Sequence, residues 1–100
     1  MTSRFIVPPT EGGWQVATFE WALERARWTD EHHHIEVNSV VEGELHVDCG
    51  DVHLIAHAGD SVSVPPGMRA SYHAPVHARM IGCYGPNRGT PDAFGQMEEL

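Results

Sequence analysis

Residues 30–43 read DEHHHIEVNSVVEG. Three consecutive histidines stand among acids, and an alternating apolar stretch follows at once. As an extended strand, this segment puts His32, His34, Glu36, Asn38 and Val40 on one face. His33, Ile35, Val37 and Ser39 take the other, because successive side chains of a strand point to opposite sides. With the even set inside a small barrel, two imidazoles and a carboxylate share an interior wall. With the odd set inside, Ile35 and Val37 build core and the histidines are solvated. Periodicity alone leaves both arrangements open.

Outward from this stretch, turn signals are dense: PPTEGG, CGD, AGD, PPG, HAP, GPN and RGTP. The segments between them are short and rich in β-branched and aromatic residues. Residues 14–28 read as one or two strands, although WALERA within them has helical propensity. Residues 34–49 read as a hairpin, and 51–58, 61–65, 70–75 and 77–85 as further strands. Many short strands separated by Gly/Pro turns predict an all-β sandwich or barrel. Only the tail TPDAFGQMEEL reads as a short C-terminal helix, with Thr90 as its cap and Pro91 at its first position.

The chain has 100 residues, enough for one compact domain spanning 1–100. Its net charge is −8 and its basic residues are all arginine. That surface would repel a phosphate backbone, which argues against a nucleic-acid partner. The absence of lysine excludes Schiff-base chemistry and a Walker-type phosphate loop. No run approaches the roughly 20 apolar residues of a membrane helix, and the N-terminus MTSRFIVPP lacks the pattern of a secretory signal. A cytoplasmic location without membrane contact is the expectation. Cys49 and Cys83 form no CxxC pair and read as free thiols.

Two spaced motifs resemble the cupins, a family of small jelly-roll barrels also described as double-stranded β-helices. The first cupin motif ends in a glutamate, six residues and a glycine, as Glu36 and Gly43 do here. The second begins with a glycine, five residues and Pro-x-Gly, as Gly59 and Pro65-Pro66-Gly67 do. The resemblance covers about residues 28–86. It implies a homodimer and a divalent metal (Fe, Mn, Ni, Zn or Cu) held by three histidines and a glutamate. Carried over residue by residue, it places His32 and Glu36 in ligand positions. Asp30 stands where the first histidine is expected, Ala70 where the third is, and Ala74 at the asparagine position.

Asp30 is a competent substitute, since carboxylate oxygens bind zinc and iron, and His34 lies two residues along the same strand face. His73 falls three residues after Ala70, so only a bulge would bring it to the same wall. Glu36, His34 and Tyr72 are the candidates for moving protons. Asn38, Tyr72 and Arg79 are the candidates for holding a ligand, with Arg79 as a carboxylate clamp. Against this, Arg79 also reads as an ordinary edge or salt-bridge arginine, and His46, His53, His57 and His77 as surface strand residues. Trp14, Phe19, Trp21, Trp28 and Met80 either line an apolar ligand pocket or build core and interface. The expected function is small-molecule binding in the barrel, with metal-dependent isomerase, lyase, cyclase or oxygenase chemistry on His32 and Glu36. The alternative is a non-catalytic ligand-binding or sensory barrel that has lost its metal.

Overall fold

A computed structural model describes residues 1–8, 16–85 and 94–100. Its seven strands are β1 (Thr2–Val7), β2 (Ala17–Glu31), β3 (Ile35–Cys49), β4 (Val52–His57), β5 (Ser61–Val64), β6 (Arg69–Gly85) and β7 (Phe94–Glu99). No helix occurs among the described residues. All pairings are antiparallel, in the order β1-β2-β6-β3-β4, with β5 added on β3 and β7 on β2.

The three longest strands explain how one hydrogen-bonded network makes a barrel. β2 and β3 have 15 residues each and β6 has 17, well beyond the usual strand. Each breaks register midway, at Glu24/Ala26 in β2 and between Val40 and His46 in β3. β1, 17–24, 77–84, 35–43 and β5 then form one layer, and β7, 26–31, 69–74, 46–49 and β4 the other. Their inner faces share one core, where Trp21, Leu23, Val40, Val62 and Met80 meet Val47, Ala56, Ala70, Tyr72 and Ala74. Trp21 and Tyr72 contact edge to face across it, with centroids 5.6 Å apart.

The breaks also reset which residues face inward. In β2, Trp21 and Leu23 are buried before the break and Ala26 and Asp30 after it. The extra residue is Arg25, which takes a left-handed φ of 45°. In β3, Glu36, Asn38 and Val40 point inward, then Leu45 and Val47 do. The even set of residues 36–40 therefore faces the interior, and Ile35 is exposed.

Three sequence expectations change. Residues 34–49 are one bent strand rather than a hairpin, because Gly43 sits at a bend inside β3 and not in a two-strand turn. The segments 70–75 and 77–85 join into β6 across Pro75, which lies at the register break where no ladder N–H is required. The tail forms β7 rather than a helix, because the exposed inner edge of β2 offers a ladder for residues 94–99. Thr90, Pro91 and Trp14 lie outside the described residues. WALERA is strand, as the surrounding pattern indicated.

At Gly43 the bend admits no side chain. Its φ is +82°, and a Cβ there would lie 2.0 Å from the His77 carbonyl oxygen, a backbone atom. Gly43→Ala is expected to lower unfolding stability by about 2–4 kcal/mol. Gly59→Ala, where φ is +97° but nothing lies within 4 Å, should cost only about 1 kcal/mol. Urea unfolding of the two variants measures the difference.

Candidate functional site

β2 ends at Glu31 and β3 starts at Ile35, so His32, His33 and His34 form the connection between them rather than part of a strand. Strict alternation therefore fails across the triplet. The connection is tied from outside, since the Gly67 N–H donates to the His32 carbonyl at 2.9 Å. His32 is buried to 1% exposure, while His33 is exposed. The bulge at Arg25 turns Asp30 into the barrel from β2, and Glu36 enters from β3. One ligand atom each from Asp30, His32 and Glu36 falls within 4.8 Å of the others, and all three residues are buried.

His32 Nε2 stands 3.5 Å from Glu36 Oε2 and 3.8 Å from Asp30 Oδ1. These are ion-pair separations, and Nε2 has no hydrogen-bond partner. The atoms around the cluster are held. His32 Nδ1 lies 2.9 Å from the His34 carbonyl, which can only accept, so Nδ1 carries a proton. Trp28 Nε1 donates to Asp30 Oδ2 at 2.8 Å, and Asn38 Nδ2 donates to Glu36 Oε2 at 3.1 Å. Trp21 Nε1 in turn donates to Asn38 Oδ1 at 2.8 Å. Asn38 reaches this position because its cross-strand neighbour is Gly82, where a Cβ would meet Asn38 Oδ1 at 2.5 Å.

The electrostatics follow from these contacts. The Glu36 carboxylate at Nε2 raises the His32 pKa to about 9, and the charges of Glu36 and Asp30 add to that, against the opposing effect of burial. Burial pushes the Tyr72 phenol up, reinforced by the same two carboxylates. Tyr72 is thus a neutral hydroxyl at ordinary pH, unfit to act as a phenolate base.

A cavity of about 360 Å³ opens onto this cluster. Phe5, Phe19, Trp21, Trp28 and Tyr84 line it together with Asp30, His34 and Glu36. The remaining candidate residues are distributed as follows. The His34 ring stacks on His32, centroids 4.9 Å apart, and on Tyr84 at 4.2 Å. It is on the cavity wall but outside the three-donor group. Tyr72 and Asn38 are core residues behind Trp21 and Glu36 rather than wall residues. Arg79 points outward from β6, 4.0 Å from both Glu20 and Glu42, and from there it does not reach the cavity. That is the salt-bridge placement, set by its odd position beside inward Ala78 and Met80.

Ala70 is the cross-strand partner of Asp30 on the inner face. His73 lies outside, stacked on His46 at 4.7 Å, because β6 has no bulge between Ala70 and Ala74. His46, His53, His57 and His77 pair with Glu44, Asp48 and Glu42 on the outer surface. Met80 is core, and both cysteines are free. Sequence reasoning missed Phe5 and Tyr84. Tyr84 is opposite Glu36 in the ladder, and Phe5 opposite Phe19; only the register shows either.

The family model for the cupin domain matches residues 21–81, more than half of the chain. The chain is a cupin. Among solved structures, it is 26% identical to a putative ethanolamine utilization protein Q from Salmonella typhimurium, with a TM-score of 0.75, covering 84% of this chain and 68% of that one. An RmlC-like cupin from Shewanella frigidimarina is 30% identical, with a TM-score of 0.61 and coverage of 74% and 67%. Ectoine synthase from P. lautus shares the fold at 17% identity and a TM-score of 0.74, with coverage of 84% and 62%. No curated protein sequence matches the chain.

In this cupin the raised His32 pKa makes the metal-free fold pH-sensitive. A histidine with pKa 6.5 unfolded and about 9 folded stabilises fully below pH 6.5, and its contribution is lost as pH rises through about 9. Metal-free protein is expected to lose on the order of 3 kcal/mol across that window. Glu36→Gln should flatten the slope. Denaturant melts at stepped pH measure both.

Proposed function

We propose that this cupin binds a small organic ligand in the aromatic cavity, beside a single divalent metal ion held by Asp30, His32 and Glu36. The observation that carries the reading is the convergence of three buried donor groups, each oriented by a hydrogen bond: Trp28 to Asp30, Asn38 to Glu36, and His32 Nδ1 to the His34 carbonyl. Such outer contacts fix tautomer and carboxylate orientation, as second-layer partners of metal ligands do. His32 Nε2 is buried and faces both carboxylates at 3.5 and 3.8 Å without a hydrogen bond of ordinary length, so on release of its proton an ion could take the position between the three.

A divalent ion held by these residues would supply Lewis-acid polarisation of a ligand oxygen. The chain's own residues do the rest. The aromatic walls exclude water and orient the ligand. Glu36 and His34, both on the cavity wall, are placed to accept or return a proton. Isomerase, lyase, cyclase and oxygenase chemistry are all compatible with this arrangement, and the fold does not select among them. Homodimer formation and a cytoplasmic location belong to the same proposal.

One observation favours a second reading, a ligand-binding cupin without metal. Ala70, beside Asp30, leaves the donor set with a single histidine. Elemental analysis and titration of untagged protein with Fe, Mn, Ni, Zn and Cu separate the two. Under the metal reading, Asp30→Ala, His32→Ala and Glu36→Ala each lower affinity at least about 100-fold, and Trp28→Phe lowers it about 10-fold. His33→Ala leaves it unchanged. Absence of stoichiometric metal in every case overturns the metal reading and leaves the second one.

A further inference from the structure

We infer that the cavity selects a compact organic cation, such as a quaternary ammonium or sulfonium group, over a neutral or anionic ligand of the same shape. The inference rests on the reading that this cavity takes a small ligand, and it adds the ligand's charge class.

The walls carry the argument. Phe5 and Phe19 meet edge to face, with centroids 6.4 Å apart and planes at 70°. Phe19 and Tyr84 are tilted by 57° at 5.7 Å. These rings stand at angles to one another rather than in a flat stack, and all three line the cavity. Trp21 and Trp28 extend it towards the buried cluster. Aromatic faces carry negative electrostatic potential, and a desolvated cation among several of them is held more tightly than a neutral group of equal size. The volume of about 360 Å³ lies at the lower end for small-molecule sites, which suits a compact ligand.

The charged groups on the walls point the same way. Asp30 and Glu36 present carboxylates, and among the described lining residues the one guanidinium is that of Arg4. The Arg4 side chain is 66% exposed and engages Glu20 at 3.1 Å, so its charge is already paired. The His34 ring is stacked between Tyr84 and His32. Among the described lining residues an anionic ligand therefore finds no unengaged guanidinium, whereas the net charge of −8 draws cations to the mouth. A divalent ion on Asp30, His32 and Glu36 would balance the two carboxylates and leave the aromatic walls unchanged. The cation preference is therefore expected of the metal-free protein, since a bound ion would cancel the carboxylate charge and offer an anionic oxygen a position of its own.

The test uses three probes of one shape. These are choline, its uncharged isostere with a tert-butyl group in place of trimethylammonium, and tert-butylacetate as the anion. Each is titrated by NMR and calorimetry into the full chain in its metal-free form. Choline is expected to bind about tenfold more tightly than the neutral isostere, and the anion more weakly still. Phe5→Leu, at a half-exposed position that leaves the fold intact, should reduce the choline advantage while sparing the neutral probe. Trp28→Phe should keep more of the advantage than Trp28→Leu. Equal affinities, or preference for the neutral or anionic probe, overturn the charge class and leave the cavity as a ligand site. No binding of any probe at millimolar concentration overturns both.

Discussion

The bulge at Arg25 is the constraint on which the interior depends. A strand that serves two facing layers must bend, and the bend in β2 inserts one residue with a positive φ. That single insertion exchanges the two faces of the strand. Before it, the odd positions Trp21 and Leu23 are buried. After it, the even positions Ala26 and Asp30 are. Without the exchange, Asp30 would point to solvent, and Glu36 would face a barrel interior with one carboxylate instead of two.

With Asp30 and Glu36 both inside, a buried charge problem arises. Carboxylates removed from water need counter-charges or donors. His32 answers part of it from the β2–β3 connection, and Trp28 and Asn38 donate to one oxygen of each acid. The polar core extends further, since Trp21 holds Asn38 and Gly82 leaves it room. Residues that look like pocket groups in a linear reading thus act as supports. Asn38 and Tyr72 lie behind the wall, while the indole rings of Trp21 and Trp28 both support the acids and form the cavity surface. One set of residues serves polar satisfaction and lines the cavity, so a mutation in either indole changes both.

The outer surface follows a different logic. Its histidines face carboxylates at strand positions that alternate with the core. His73 belongs there, three residues from Ala70 and on the opposite face. Arg79 joins the same surface between Glu20 and Glu42. The high histidine count of the chain therefore divides into one buried imidazole, one on the cavity wall, and a remainder on exposed or half-buried positions.

The all-β barrel and its family are legible in the linear chain, because turn residues and two motifs around Glu36–Gly43 and Gly59–Gly67 recur at the same spacing the fold requires. The sequence also determined that Asp30, His32 and Glu36 stand at related positions, since motif register counts residues and counting survives folding. It did not determine which strand halves share a layer. Local periodicity carries no information about a bulge 5 residues upstream of Asp30 or about the edge that turned the tail into β7. Nor could it show that Phe5 and Tyr84 join Trp21 and Trp28 around one cavity, because those partners lie on different strands and meet only through cross-strand register. Which side chains line the cavity and which stand behind it is settled in three dimensions. That choice is made by packing between two layers, and a single strand's pattern contains only one of them.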